Sequence, residues 1–354
     1  MQYSTFAAID IGSYDVILEI FEISKKQGIR SVDKICHRME LGKDTYTLGK
    51  IRPEMEEELC RVLADFVRIM EGYRVDDYRA TASSAISEAS NSLYVLGKIH
   101  QLTGFSVTVL SNSEQRFLSY KALAAMEDNF NKIIEKGTAI LDLDGGSFQI
   151  SLFDKDALVT TQNIRMGSLR IRERLAGIQS ETEHYEEMVE ELIWNEVSSF
   201  KKMYLKDRKI ENIMLIGDVF TDSVYQNIEE KTTKIISREN FNTWYEKIIR
   251  QSPMELAVKL GIPLENASLM YPSAVIYKCL IDMMGAEHIW IPGVHMTRGI
   301  AYEYAEQMKL LKGGHNFEND ILMAAKNIGK RYAVNRPHVQ NLEMTALAMF
   351  DAMK

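Results

Sequence analysis

Apolar positions along this chain follow two periods. Runs that are apolar throughout, or at every second residue, predict strands at 13–23, 29–41, 78–81, 105–110, 138–141, 149–153, 156–165, 212–216 and 288–291. Stretches with apolar residues three and four apart predict helices over 53–72, 88–102, 113–126, 181–204, 253–260 and 271–284, with another starting near 297. In the first of these helices Met55, Leu59, Val62, Leu63, Phe66 and Met70 share a face, and Pro53 suits the opening turn, where its missing N–H is not needed. Ser113, followed by an acid and an amide, suits a helix start that also faces a site. Strands and helices interleave in the same order in two halves. This predicts an α/β protein with its ligand in the cleft between them. Gly313-Gly314 interrupts the pattern, and beyond it the helical stretches 318–331 and 339–353 cannot make a core by themselves. The expected units are therefore 1–125, 126–312 and 313–354.

Each half holds one segment of the same design: Phe6-Ala-Ala-Ile-Asp10-Ile-Gly12-Ser13, and Ala139-Ile-Leu-Asp142-Leu-Asp144-Gly145-Gly146-Ser147-Phe148. An apolar β-prone run ends in Asp, turns on small residues and resumes apolar alternation (Val16, Leu18, Ile20; Ile150, Leu152), as a phosphate-cradling hairpin would. Small residues matter because backbone N–H groups approach a phosphate only where no Cβ intervenes. Gly12, Ser13, Gly145, Gly146 and Ser147 are the expected cradle. Asp10 and Asp142, at strand ends, are placed to hold a hydrated divalent cation against the same phosphate. One Asp-x-Gly turn is a common connector; two at matching places in two halves are a signal.

Composition narrows the class. The 354 residues suffice for two domains with proper cores, and 46% hydrophobic with 26% charged residues is ordinary for a globular protein. No basic leader precedes the first strand, and no run approaches ~18 uninterrupted apolar residues, so no membrane association and a cytoplasmic location are expected. Cys36, Cys60 and Cys279 lack any Cys-x-x-Cys spacing, and the seven histidines lack ligand spacing, so neither a disulfide framework nor a zinc site is suggested. A net charge of −8 argues against nucleic acid as a partner.

These motifs resemble the exopolyphosphatase and guanosine pentaphosphate phosphohydrolase (Ppx/GppA) family of the actin-like superfamily. Asp10-Ile-Gly-Ser13 and Asp142-Leu-Asp-Gly-Gly-Ser147 look like its two phosphate loops. Ala82-Ser-Ser-Ala85-Ile-Ser-Glu-Ala89-Ser-Asn91 is similar to its Ala-Thr-x-Ala-x-Arg-x-Ala-x-Asn stretch, Leu110-Ser-Asn-Ser-Glu114-Gln115 to its Ile-Ser-Gly-x-Glu-Glu, and Met166-Gly167-Ser-Leu-Arg170-Ile to its Met-Gly-Ala-x-Arg-Leu. From Ala324 to Asp351 the chain is similar to the opening of the family's helical third domain. The resemblance implies two actin-like (ribonuclease-H-like) domains with a cleft between them and a short C-terminal helical extension. It further implies hydrolysis, with Mg²⁺, of terminal phosphoanhydride bonds of inorganic polyphosphate or guanosine pentaphosphate, guanosine tetraphosphate as a related ligand, and a homodimer, which is common in the family.

The departures fall on the chemistry. The family's base position is Gln115, and loss of general-base assistance costs ~10²–10⁴-fold. A glutamine can still orient water. Glu114 could substitute only if the helix start were rotated, since helical neighbours point about 100° apart. The second acidic position is Gln149, and the phosphate-clamping arginine is Ser87. Tyr14 and Asp15 replace a small polar pair, and Asp144 replaces a glycine, adding negative charge where an anion would sit. The family's Gly-x-Ser-Gly-Thr reads Gly217-Asp-Val-Phe220-Thr221, and Arg298 falls where a Glu is expected. Glycines of the scaffold survive while acid–base groups do not. Three readings are open: a weakened phosphatase, a silent polyphosphate- or nucleotide-binding regulator, or a structural paralogue that uses Arg165, Arg170, Arg172 and Arg174.

Overall fold

Two mixed sheets of like plan form the frame of the computed structural model, which describes residues 3–126, 130–176, 185–227, 235–311 and 315–353. The first contains β1 (Ser4–Ile11), β2 (Asp15–Ser24), β3 (Gly28–Arg38), β4 (Asp77–Ala82) and β5 (Val107–Val109), in the order β3-β2-β1-β4-β5. The second contains β6 (Thr138–Leu143), β7 (Phe148–Asp154), β8 (Ala157–Ile164), β9 (Asn212–Ile216), β10 (Ile235–Ser237) and β11 (His288–Trp290), in the order β10-β11-β9-β6-β7-β8. In each, a first strand forms an antiparallel hairpin with the second and takes a parallel neighbour, β4 or β9, on its other side.

β1 and β6 are central strands covered on both faces, which is why they read as apolar runs rather than alternations. Ala7, Ile9 and Ile11 face the helix Pro53–Tyr73, while Phe6 and Ala8 face the helix Met296–Gln307, where Phe6 stacks on Tyr304 with ring centroids 4.1 Å apart. Ala139, Leu141 and Leu143 of β6 enter the largest core, and Ile140 points to the opposite side.

The helix Asn112–Met126 lies between the sheets. Leu118 packs with Phe6 and Ile300, whereas Tyr120 and Leu123 pack with Ile140 and Met214. Its close neighbour is the helix Met296–Gln307, where Gly299 sits so near the Leu118 carbonyl that a Cβ would come within 1.9 Å of it.

The predicted strand 29–41 ends at Arg38, and Leu41–Leu48 is a helix that the apolar pattern does not predict; Val219–Asn227 and Arg238–Ile249 are further such helices. Of the predicted helix 181–204, Tyr185–Phe200 is α-helical and Lys201–Leu205 is a π-turn; positions 181–184, like Gly313-Gly314, lie outside the described residues. Past the glycines, the helix Phe317–Arg331 docks on β8: the Leu158 N–H donates to Asp320 at 3.2 Å, and Asn327 donates to the Val159 carbonyl at 3.1 Å. The last helix, Arg336–Ala352, buries no residue. Among the described residues no helix is long and apolar enough to cross a membrane.

Candidate active site between the two loops

A cavity of about 370 Å³ opens where β1, β6 and β9 end. Its wall includes Asp10, Gly12, Gln115, Asp142, Gly145, Ser147, Gln149 and Gly217, eight of the positions expected from the sequence. Chain geometry explains the convergence: Asp142 is opposite Gln149 in the β6–β7 hairpin and opposite Ile216 in the parallel β6–β9 pair. Gly217, at φ +105°, turns the chain so closely against β6 that a Cβ would lie 2.6 Å from Asp142 Oδ1. The helix Asn112–Met126 enters from the other side and delivers Gln115 and Ser119, whose hydroxyl donates to Asp142 Oδ2 at 2.6 Å.

Four expected residues stand elsewhere. Glu114 is exposed and closes a capping box with Ser111, accepting its N–H at 2.7 Å, so it serves the helix start and not the cavity. Ser87 is exposed at the end of the short helix Ser84–Ser87 and does not line the cavity. Ser13 and Gly146 are withdrawn behind the wall by Tyr46. The Tyr46 hydroxyl is 2.7 Å from Ser13 Oγ and 2.8 Å from Ser84 Oγ, and a Cβ on Gly146 would lie 2.0 Å from it. Gly146 is a glycine here because a tyrosine approaches its Cα.

The loop amides are also engaged. Gly12 N–H donates to the Asp15 carbonyl at 2.8 Å, and Gly145 N–H donates to Asp144 Oδ1 at 2.6 Å. Asp144 thus lays its own carboxylate on the amide that an anion would use.

Acid dominates the chamber. Asp10, Asp15, Asp142, Asp144, Asp218 and Asp222 line it, with Arg38 and His295 as basic counterparts. Withdrawal from water pushes the Asp142 and Asp144 carboxyls up to about 6 and that of Asp218 up to about 7. Asp10 is raised well above the carboxylate range, first by burial and then by the charges of Asp15, Asp144 and Asp142. Asp10 Oδ1, Gln115 Nε2 and Gln149 Oε1 are buried without a hydrogen-bond partner.

Tyr46, Ser119, Asp218 and Asn266 were not foreseen as site residues. Asp218 carried a readable signal: like Asp10 and Asp142 it stands where an apolar strand gives way to a tight turn, although it follows the turn at Gly217 and they precede theirs. Tyr46 and Ser119 had none, because each acts on residues distant in sequence. Three of the four arginines are spent internally: Arg170 and Arg165 pair with Glu88 at 3.0 and 2.6 Å, and Arg172 grips Glu40 through two 2.8 Å bonds, while Arg174 is exposed.

The comparisons agree with this architecture. An exopolyphosphatase structure from Cytophaga hutchinsonii superposes with a TM-score of 0.76 at 17% identity, over 86% of this chain and 98% of that one, which shows the two-domain actin-like fold. In sequence, the chain is 21% identical over 310 residues to a bifunctional 3-dehydroquinate synthase/phosphatase of Fusobacterium nucleatum, covering 80% of this chain and 44% of the relative. It is 25% identical over 144 residues to exopolyphosphatase 1 of Mycobacterium leprae, covering 40% of this chain and 41% of the relative. The chain thus spans less than half the length of the curated relatives it matches. The model of the Ppx/GppA phosphatase family matches residues 19–308, and with the paired loops and the fold this establishes that the chain belongs to that family.

Proposed function

We propose that this protein hydrolyses the terminal phosphoanhydride bond of inorganic polyphosphate or guanosine pentaphosphate, with Mg²⁺, at a rate reduced by the amide at position 115. The observation that carries the reading is the shared cavity of Asp10 Oδ1, Gln115 Nε2 and Gln149 Oε1, three buried atoms with no partner between two loop-bearing strand ends. An unmet buried polar group costs about 1–3 kcal/mol. With Asp218 Oδ2, four such atoms belong to residues of one chamber, and they fit a polar ligand that supplies the missing bonds.

The donor set suits a hard cation, being all oxygen; burial first and then the charges of Asp15, Asp144 and Asp142 raise Asp10, and a cation would offset both. Among the described residues no three acidic, histidine or cysteine side chains form a ready-made chelate. Mg²⁺ at phosphate sites needs only one or two carboxylates, with water and phosphate completing its shell. Asp10 and Asp142 would hold it, and bound there it would neutralise phosphate charge. Gln115 would orient the attacking water without accepting its proton, and Gln149 would take a hydrogen bond from water or from a phosphate hydroxyl. Gly12, Gly145 and Ser147 would line the phosphate's bed.

The test is phosphate release from long-chain polyphosphate and from guanosine pentaphosphate with Mg²⁺ or Mn²⁺. Slow release above a Gln115→Ala control is expected, and release no greater than that control would overturn the hydrolase reading. Ligand at 100 times its Kd should also raise folding stability by ~2.7 kcal/mol.

A further inference from the structure

Tyr46 does more than fill space. Its hydroxyl joins Ser13 of the first loop to Ser84, and Ser13 Oγ lies 3.5 Å from Asp144 Oδ2 of the second loop. The chain neighbours of these residues, Gly12, Ser83, Gly145 and Ser147, line the cavity, whereas Ser13, Ser84, Gly146 and Tyr46 do not. The phenol therefore stands directly behind the wall, at the seam between the two loops. Tyr46 is half-buried, and the Arg170 guanidinium lies 3.8 Å from its ring centroid. Arg170 is fixed there by a 2.8 Å bond from Nε to the Gly146 carbonyl and by its pair with Glu88, and the exposed Arg165 joins the same carboxylate. Two guanidiniums that share Glu88 thus stand on one side of the ring, and the acid-lined chamber ends on the other.

We propose that Tyr46 is a stop across the seam, the residue that sets how far a phosphate chain can enter. With the ring in place, the chain end abuts the loops and every further phosphate must lie toward the open mouth. Without it, the seam would connect the chamber to Arg170, and a longer chain would compete with Glu88 for a guanidinium whose fork suits phosphate oxygens as well as carboxylates. The inference rests on the reading of the cavity as a phosphate-chain site and deepens it by naming the residue that fixes length selectivity.

Calorimetric titration of the full chain in Mg²⁺ tests this, with pyrophosphate, tripolyphosphate and longer defined polyphosphates, in a Gln115→Ala background that suppresses turnover. In that background affinity should level off with chain length. Adding Tyr46→Gly should let it continue to rise, by about tenfold once Arg170 is reached, and Arg170→Gln should erase the gain. Tyr46→Phe keeps the ring and should keep the plateau. A Tyr46→Gly profile identical to its parent, or an equal gain in Tyr46→Phe, would overturn the stop. So would affinity that climbs steadily with length while the ring is present, a result that needs no Tyr46 variant to fold. Failure of every protein to bind any phosphate chain would remove the phosphate-site reading together with the stop, whereas binding with an unchanged profile removes the stop alone.

Discussion

Tyr14, in the turn after β1, donates its hydroxyl to Asn266 Oδ1 at 2.6 Å, joining the first loop to the helix Leu264–Met284 of the second half. Around this bond Tyr14, Leu169 and Leu269 form a small buried cluster, and Arg172 holds both Glu40 and Ser268 nearby. One side of the cleft is therefore tied shut by polar bonds over an apolar patch. Tyr14→Phe keeps the patch and leaves Asn266 Oδ1 without its donor, so unfolding stability should fall by about 1–3 kcal/mol in a denaturant titration. A change under about 0.5 kcal/mol, below the usual net worth of a hydrogen bond, would mean that the tie carries no weight.

Gln115 and Glu114 are adjacent, yet the structure gives them separate duties. Gln115→Glu should raise phosphate release by ~10² or more by restoring a proton acceptor on the cavity wall. Glu114→Gln should leave the rate within about twofold, while weakening the helix start by ~1 kcal/mol at most. Comparing kcat and melting temperature for both variants separates base from cap.

Asp144 covers the Gly145 amide with its own carboxylate. Asp144→Gly should free that donor and remove one negative charge from the chamber. A charge-assisted hydrogen bond contributes about 1.5–3 kcal/mol, so Kd for a phosphate chain should fall roughly ten- to hundredfold. An unchanged Kd in calorimetry would show that the amide does not meet the ligand.

The Asp218 carboxyl, ordinarily near 3.8, is pushed up to about 7 by withdrawal from solvent. Between those values the folded protein holds a proton that the unfolded chain has released. Stability from this group is therefore full in acid, declines as pH rises from about 4 to 7, and is gone above 7. Asp218→Asn stays neutral throughout and can retain the bonds from the Thr221 N–H and the Tyr277 hydroxyl. Its stability between about pH 5 and 7 should fall less steeply than that of the parent, by up to ~1.4 kcal/mol per pH unit. Parallel slopes in denaturation at stepped pH would contradict this.

What the sequence disclosed was local. Asp10 and Asp142 were visible because a central strand must be apolar and a carboxylate at its end breaks the pattern. Asp218 repeats that break after Asn212–Ile216, and reading it by the same rule would have placed a third acid in the chamber. Tyr46 was illegible: its helix Leu41–Leu48 contains Gly42, Asp44, Thr45 and Thr47, weak helix formers, and its partners lie 33 and 38 positions away. Ser87 shows the opposite error, where motif alignment suggested a phosphate contact and the short helix carrying it turns the residue to solvent.

The helix Met296–Gln307 completes the first sheet from far down the chain, with Ile300, Ala301 and Tyr304 covering Phe6 and Phe21. During synthesis, that face of the earliest sheet must wait, uncovered, until nearly the whole second half has emerged. Nascent chains that stop short of residue 296 should therefore be the species that engage chaperones or aggregate, and release from such care should coincide with the appearance of this one helix.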